Sequence, residues 1–357
     1  VLYLSTLSPC CIWVNSSLVP TLVDNGDVPF KQGDDLDEPV TNIPGTETSL
    51  RRRDLPGICR AQAQEMSDPY NQIVLRECRK LPNAQGHIFN TFDELEGPLL
   101  YHLHSLFPNL YTIGPLHSHL KTRLRLAQLE LGSHSPTNSS LWLEDRSCLA
   151  WLDGQPSKSV VFVSTGSICV MTIEQLMEFW HGLVNSGVRF LWVRRSDSVV
   201  GLADGDEGRL EVPEEVLEGT KQRGFIVPWV PQEEVLAHRA VGGFLTHSGW
   251  NSTLESIVEG VPMVCWPVGI DQLVISRFVG EVWRIGIDMK DKCDRVIIEA
   301  MVRGLIERRD EFSTNAILLS KAAHEAVAEG GSSWCALDRL IEDIIFMRLQ
   351  VPTDGRS

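Results

Sequence analysis

No stretch of the 357 residues approaches the ~20 consecutive apolar positions that a membrane-spanning helix needs. No basic excess is present either. Lys and Arg number 32 against 47 Asp and Glu, a formal net charge of −15. The first absence predicts no membrane anchor, and the second argues against nucleic acid or an anionic lipid surface as partner. Arg51-Arg52-Arg53 and Arg308-Arg309 are too short to be tails and read as solvated surface. Neither the GxGxxG dinucleotide fingerprint nor the GxxxxGK[ST] phosphate loop occurs. There is no CxxC. The nine cysteines are odd in number, scattered from Cys10 to Cys335, and include the adjacent Cys10-Cys11. That usage predicts a reduced, cytoplasmic protein without a disulfide framework, in which the sequons at Asn15, Asn138 and Asn251 stay unused. Metal binding is not expected. Asp35-Leu36-Asp37 and Asp204-Gly205-Asp206 follow no apolar strand, and the pairs His102/His104 and His117/His119 lack an obvious third ligand. No internal repeat, initiator Met or signal peptide is found, so Val1 reads as lying inside a domain.

What is present suffices for two domains with real cores: 43% hydrophobic and 22% charged residues, ordinary for a globular chain. The first part is uneven. An apolar start leads to an expected helix over Val14–Val23, then irregular loops from Val28 to Pro56. A helix is expected over Ser67–Arg79, strands at Gly86–Asn90 and Leu110–Ile113, and a helix from Phe92 to about Leu106. Residues 116–147 change character, and the polar run 132–140 has linker composition. From Cys148 the pattern is regular: strands at Ser159–Ser164, Val188–Arg194 and Gly224–Val227, and a helix at Thr172–Ser186. Beyond them, a helix at Leu273–Trp283, a strand at Arg284–Asp288 and mainly helix to Leu349 are expected. Alternating strands and helices predict an α/β, doubly wound parallel sheet.

The stretch from Trp229 to Gln272 organises the rest. The apolar run Val241–Leu245 ends in Thr246-His247-Ser248-Gly249, a short helix follows, and Met263–Trp266 is a second apolar run. Strand, turn, helix, strand is a parallel β-α-β unit, whose ligands sit at the carboxyl ends of the strands. Ser252-x-x-Glu255 fits a capping box, and Gly260 before Val261-Pro262 fits a helix stop. The amides around Gly249–Ser252 then face outward at the positive end of a helix dipole, a site for phosphate. His247, Asn251 and Ser252 add side-chain donors, Trp229 an aromatic face for a base, and Asp271-Gln272 hydrogen-bonding groups for a polyol. Each has a plainer explanation: His247 as a structural residue, Trp229 as core, Glu255 as a cap, Asp271 as the N-cap of the next helix.

This box resembles the C-terminal signature of plant UDP-dependent glycosyltransferases, from Trp229-Val230-Pro231-Gln232 through His247-Ser248-Gly249-Trp250-Asn251-Ser252 to the closing Asp271-Gln272, without insertion. Asn90–Glu96 and Ile113–Leu116 resemble that family's acceptor-binding domain. The resemblance implies two Rossmann-like domains of GT-B type, the N-terminal one incomplete. Residues 1–131 are then a partial acceptor domain and 132–147 a linker. Residues 148–332 form the UDP-sugar domain, and the helix of 333–357 returns to the acceptor domain. It implies an inverting, metal-independent transfer of glucose from UDP-glucose to a hydroxyl or carboxyl of a small lipophilic acceptor, by a cytoplasmic monomer that uses no cofactor. The uracil stacks on Trp229 beside Val230, Gln232 contacts base or ribose, and Glu255 holds the ribose. His247, Gly249, Asn251, Ser252 and Ser167 meet the diphosphate, Trp250 shapes the sugar pocket, and Asp271 and Gln272 bind sugar hydroxyls. One departure is Thr165, where the family usually has an aromatic residue before the Gly-Ser pair. The segment Val28–Pro56 looks most like members acting on iridoid or terpenoid aglycones. The family's catalytic base matches no residue here and is expected upstream of Val1. The alternative is therefore a UDP-sugar-binding homologue impaired in turnover.

Overall fold

The computed structural model describes residues 1–25, 28–31, 33–40, 50–59, 69–107, 109–131, 142–201, 211–269, 271–290 and 293–349. The polar run 132–140 with its sequon at Asn138, the string Asp204-Gly205-Asp206, and parts of the loops expected at 28–56 and 196–209 lie outside these residues.

The N-terminal lobe holds a three-stranded parallel sheet in the order β1-β2-β3, made of β1 (Leu2–Ser5), β2 (Gly86–Phe89) and β3 (Leu110–Thr112). Helix α1 (Pro9–Trp13) starts at Ser8, whose hydroxyl accepts from the Cys11 amide, with Pro9 in the first turn, a favoured start. A π-helical turn, Val14–Leu18, carries it into α2 (Val19–Asn25). The helix expected at Val14–Val23 is thus part of a longer helical run. Helix α3 (Pro69–Lys80) precedes β2, and α4 (Asp93–Leu106) joins β2 to β3. Beyond β3 comes α5 (Leu116–Leu131). Neither β1 nor α5 is marked in the sequence. Four residues are too few to show a period, and α5 leaves Leu116, Leu120, Leu124 and Leu126 exposed, which blurs its apolar stripe.

The C-terminal lobe follows the expected alternation. Helix α6 (Ser147–Asp153) leads to β4 (Val160–Ser164), α7 (Ile173–Asn185), β5 (Arg189–Val193), α8 (Glu214–Arg223) and β6 (Gly224–Val227). Then come α9 (Gln232–Ala237), β7 (Val241–Thr246), α10 (Trp250–Val258), β8 (Met263–Cys265), α11 (Gln272–Arg277) and β9 (Gly286–Asp288). Three helices close the lobe and return the chain: α12 (Arg295–Glu307), α13 (Arg309–Val327) and α14 (Ser332–Leu349). The sheet order is β6-β5-β4-β7-β8-β9, all parallel. Central β4 is buried on both faces. Val161 and Val163 pack with Leu176, Phe179, Ile298 and Val302 on one side, and Val160 and Phe162 with Phe244, Leu254 and Ala316 on the other. That two-sided burial explains its unbroken apolar sequence. The helix expected at Leu273–Trp283 is α-helical only to Arg277 and continues as a π-helical turn, Phe278–Val282.

Among the contacts that join the lobes, one set is largely apolar. Helix α14 lies on β3, where Ala336 and Leu340 pack against Tyr111 and Ile113. Tyr111 Oη donates to Asp343 at 2.6 Å, and Ser333 Oγ to the Gly114 carbonyl at 2.5 Å. The second set is ionic. Asp54, fully buried, meets the Lys290 ammonium, Arg51 Nε at 3.1 Å and Arg277 Nε at 3.5 Å; Lys290 also reaches Asp288 at 2.9 Å. Without Asp54, Asp288 is left as the one carboxylate beside both Lys290 and Arg51, and breaking a buried ion pair is strongly destabilising. Asp54→Ala is accordingly expected to destabilise the chain by about 3–5 kcal/mol, read as a lowered denaturant midpoint. A loss below about 1 kcal/mol would show that water reaches the cluster.

Candidate functional site

The carboxyl ends of β4 to β7 and the helix starts beyond them surround a cavity of about 630 Å³. Two turns form its floor. After β4, Thr165-Gly166-Ser167 passes so close to His247 that a Cβ on Gly166 would lie 2.4 Å from the ring; Gly166 also has φ +74. After β7, Ser248 adopts φ +64 and Gly249 becomes the N-cap of α10. A Cβ on Gly249 would lie 2.3 Å from His247 Nε2. Only glycine on both sides admits the ring.

The helix begins three residues earlier than the capping-box pattern implies. Ser252 and Glu255 do not cap it, and no side chain does. Instead Gln232 Nε2 donates to Ser252 Oγ at 3.0 Å and to Glu255 Oε2 at 2.7 Å. The first helical amides, Trp250 to Ser252, have no partner within the helix by its geometry. Gly249, Trp250, Asn251 and Ser252 line the cavity, which places this helix start at its wall. The expected stop is in place: Gly260 sits at φ +62 and the Val261 amide returns to the Ser256 carbonyl at 3.0 Å.

Burial sets the charge states. Desolvation draws His247 down to about 4, opposed by the Ser164 main chain and assisted by the Arg195 charge, so the imidazole is neutral around pH 7. Its Nδ1 is buried without a hydrogen-bond partner. Glu255 moves the other way. Desolvation raises it to about 7, with the Gln232 amide pulling down and the neighbouring Glu233 pushing up.

Trp229, half-buried, follows β6, and its carbonyl accepts from the Asp145 amide at 2.9 Å. Val230 beside it is buried. Ser167, Trp229, Val230, Gln232, His247, Gly249, Trp250, Asn251, Ser252 and Glu255 all line the one cavity. Asp271 and Gln272 do not; they stand at the start of α11, beyond β8. Asp271 is buried, and desolvation raises it to about 6; it does not act as the side-chain N-cap that the sequence allows. Gln272 Oε1 accepts from the Val268 amide at 2.8 Å, and its Nε2 reaches Cys169 Sγ at 3.7 Å, two residues from Ser167. Trp250 does more than shape a pocket, since its Nε1 donates to the Asn90 carbonyl at 2.7 Å in the other lobe.

Several residues of the site are not singled out by the sequence pattern. Arg195, buried at the end of β5, donates to the Gly166 carbonyl and, through Nε, to Asp197 at 2.8 Å, which holds the first turn. Its place just past an apolar strand is the signal that could have found it. Trp142 lies 5.9 Å from Trp229, ring to ring, and Lys121 of α5 pairs with Glu233 at the cavity wall. Both sit in stretches whose composition looks like surface. Among the described residues no group of three or more His, Cys, Asp or Glu could hold a metal ion.

Known proteins share this arrangement. Residues 141–329 match the profile of the family described as UDP-glucoronosyl and UDP-glucosyl transferase. A 7-deoxyloganetic acid glucosyltransferase of Catharanthus roseus is 53% identical over 345 residues, 96% of this chain and 69% of its own. A myricetin 3-O-rhamnoside 1,2-glucosyltransferase of Crocosmia x crocosmiiflora is 42% identical over 91% of this chain and 65% of its own. Among solved structures, Os79 from O. sativa in complex with UDP superimposes with TM-score 0.72 at 29% identity, over 96% of this chain and 72% of its own. Phytolacca americana UGT2 complexed with UDP-2fluoro-glucose and pterostilbene does so with TM-score 0.74 at 29% identity, over 96% of this chain and 70% of its own. With its two parallel-sheet lobes and its signature box in one cleft, the chain belongs to the UDP-glucoronosyl and UDP-glucosyl transferase family, as a glycosyltransferase of GT-B type.

Proposed function

We propose that this chain takes UDP-glucose as donor and transfers its glucose, with inversion, to a hydroxyl or carboxyl of a small lipophilic acceptor of the iridoid or terpenoid kind. One observation carries the donor assignment: the residues expected from the signature box converge on a single cavity at a helix N-terminus, with only Asp271 and Gln272 outside it. The acceptor class rests on the 53% identity to the 7-deoxyloganetic acid glucosyltransferase.

In this reading the uracil stacks on Trp229 with the Val230 main chain at its edge. Gln232 and Glu255, already hydrogen-bonded to each other, hold the ribose. The amides of residues 250–252, with His247, Asn251, Ser252 and Ser167, take the diphosphate, and Gly249 keeps the approach open. Asp271 and Gln272 reach sugar hydroxyls beyond β8. As the glycosidic bond breaks, negative charge grows on the diphosphate. Fixed N–H dipoles at a helix start stabilise it without reorganising. A neutral His247 serves there as a donor, so the group that accepts the proton of the incoming hydroxyl is another. No metal is needed, because the amides and side-chain donors supply the positive potential. We assign residues 1–131 to the acceptor domain, 132–147 to the connection, 148–332 to the donor domain and 333–357 to the returning segment. A cytoplasmic monomer agrees with nine cysteines that form no disulfide, with no described helix long and apolar enough to cross a membrane, and with both cavity walls coming from one chain.

The direct test is calorimetric titration with UDP, followed by assay of glucose transfer from UDP-glucose to 7-deoxyloganetic acid and related lipophilic acids and alcohols. Binding without transfer to any of them would leave a UDP-sugar-binding protein. Trp229→Ala should weaken UDP and uridine alike, by about 1–3 kcal/mol; unchanged affinity for both would remove the stacking role. Glu255 gives a pH signature. With its carboxyl raised to about 7, the ionised form that accepts ribose hydroxyls is scarce at pH 6 and prevails at pH 8. Uridine, which does not titrate in that range, should therefore bind more tightly as pH rises through 7, by up to about tenfold. Glu255→Gln should flatten that dependence, and a slope surviving in the variant would assign it to another group.

A further inference from the structure

We propose that Asn90, in the N-terminal lobe, is a positioning residue for the donor diphosphate, because it fixes which end of the Asn251 amide faces the cavity. The inference rests on the donor reading given above and concerns a residue outside the signature box.

Asn90 follows β2, is buried, and makes three hydrogen bonds. Its carbonyl accepts from Trp250 Nε1 at 2.7 Å. Its Oδ1 accepts from the Leu116 amide at 2.9 Å, and its Nδ2 donates to Asn251 Oδ1 at 3.2 Å. The order of these bonds is dictated by chemistry. A main-chain N–H can only donate, so Leu116 obliges Asn90 to turn Oδ1 toward it. The Nδ2 of Asn90 must then face Asn251, and Asn251 must answer with its oxygen. The donor left on Asn251 is its Nδ2, on a side chain that lines the cavity next to the helix amides. A polarity set at the start of α5 is thus relayed through two amides to a site that needs a donor. Without the relay an asparagine amide can present either end, and its oxygen would repel a phosphate.

The tightness of the joint supports a built contact. A Cβ on Gly114 would lie 2.4 Å from Asn90 Oδ1 and 2.5 Å from the Thr91 amide nitrogen, so only glycine fits behind Asn90. The partner elements are anchored independently, since Ser333 Oγ donates to the Gly114 carbonyl and Trp250 packs beside Trp283. Through Asn90 the diphosphate site depends on the N-terminal lobe, although every residue of the signature box lies in the other.

Titrations with UDP and with uridine separate this role from a structural one, because uridine lacks the groups that Asn251 would contact. Asn251→Ala should weaken UDP by about tenfold, as for a hydrogen bond to a charged group, with uridine unchanged. Asn90→Ser keeps the carbonyl that holds Trp250. It should weaken UDP by about threefold or more, within the Asn251→Ala loss, again with uridine unchanged. The double variant should match Asn251→Ala alone. A second route acts from the far end of the relay: Leu116→Pro removes the orienting N–H at a first helical position, where proline is tolerated, and should also weaken UDP selectively. The proposal is overturned if the Asn90→Ser and Asn251→Ala losses multiply, if UDP and uridine weaken equally, or if neither Asn90→Ser nor Leu116→Pro changes UDP affinity. A wild-type chain that fails to bind UDP would instead overturn the donor assignment itself.

Discussion

The amides at the start of α10 have no partner inside their own helix, and most of the molecule can be understood as the means of keeping them so. A helix that opens on Gly249 with no side-chain cap leaves donors that a globular interior ordinarily satisfies. Leaving them open costs stability, and the surrounding fold offsets it. β7 and β8 hold the turn from below, Trp250 pegs it to the opposite lobe, and His247 is wedged between two glycines that admit nothing larger. The site is preorganised because its alternatives are sterically closed, which is the condition under which fixed dipoles work best on a growing charge.

Burial tunes the same site. One desolvated cavity moves two groups in opposite directions, His247 down and Glu255 up, and both shifts favour the neutral form. A cavity that held a permanent carboxylate and a cationic imidazole would attract and repel different parts of one nucleotide at once. A neutral His247 and a Glu255 that is only partly ionised near pH 7 reduce that conflict and leave the backbone dipoles a larger share of the potential at the helix start.

The C-terminal lobe was largely legible because its strands are buried on both faces and read as unbroken apolar runs between helical periods. The cavity-lining residues from Trp229 to Glu255 are legible because they sit on one short segment with strong local constraints: an apolar strand, a turn and a helix stop. The capping box expected over Ser252–Glu255 is absent for a physical reason. A capping box and a Ser–Gln–Glu hydrogen-bonded cluster use the same residue types, and only Gln232, on another helix, decides between them. What sequence could not show were contacts made across the chain: Arg195 against Gly166, Lys121 against Glu233, Asn90 against Asn251. None has a spacing signature, since each joins elements brought together only by the fold.

The seating of α14 on β3 joins the last described helix to the first lobe. A ribosome makes the N-terminal sheet first and the helix that covers it last. Until the final turns emerge, Tyr111 and Ile113 face water, and the first lobe waits for the completion of the second. Translation order and assembly order therefore run in opposite senses, and the first lobe keeps apolar surface uncovered in the interval.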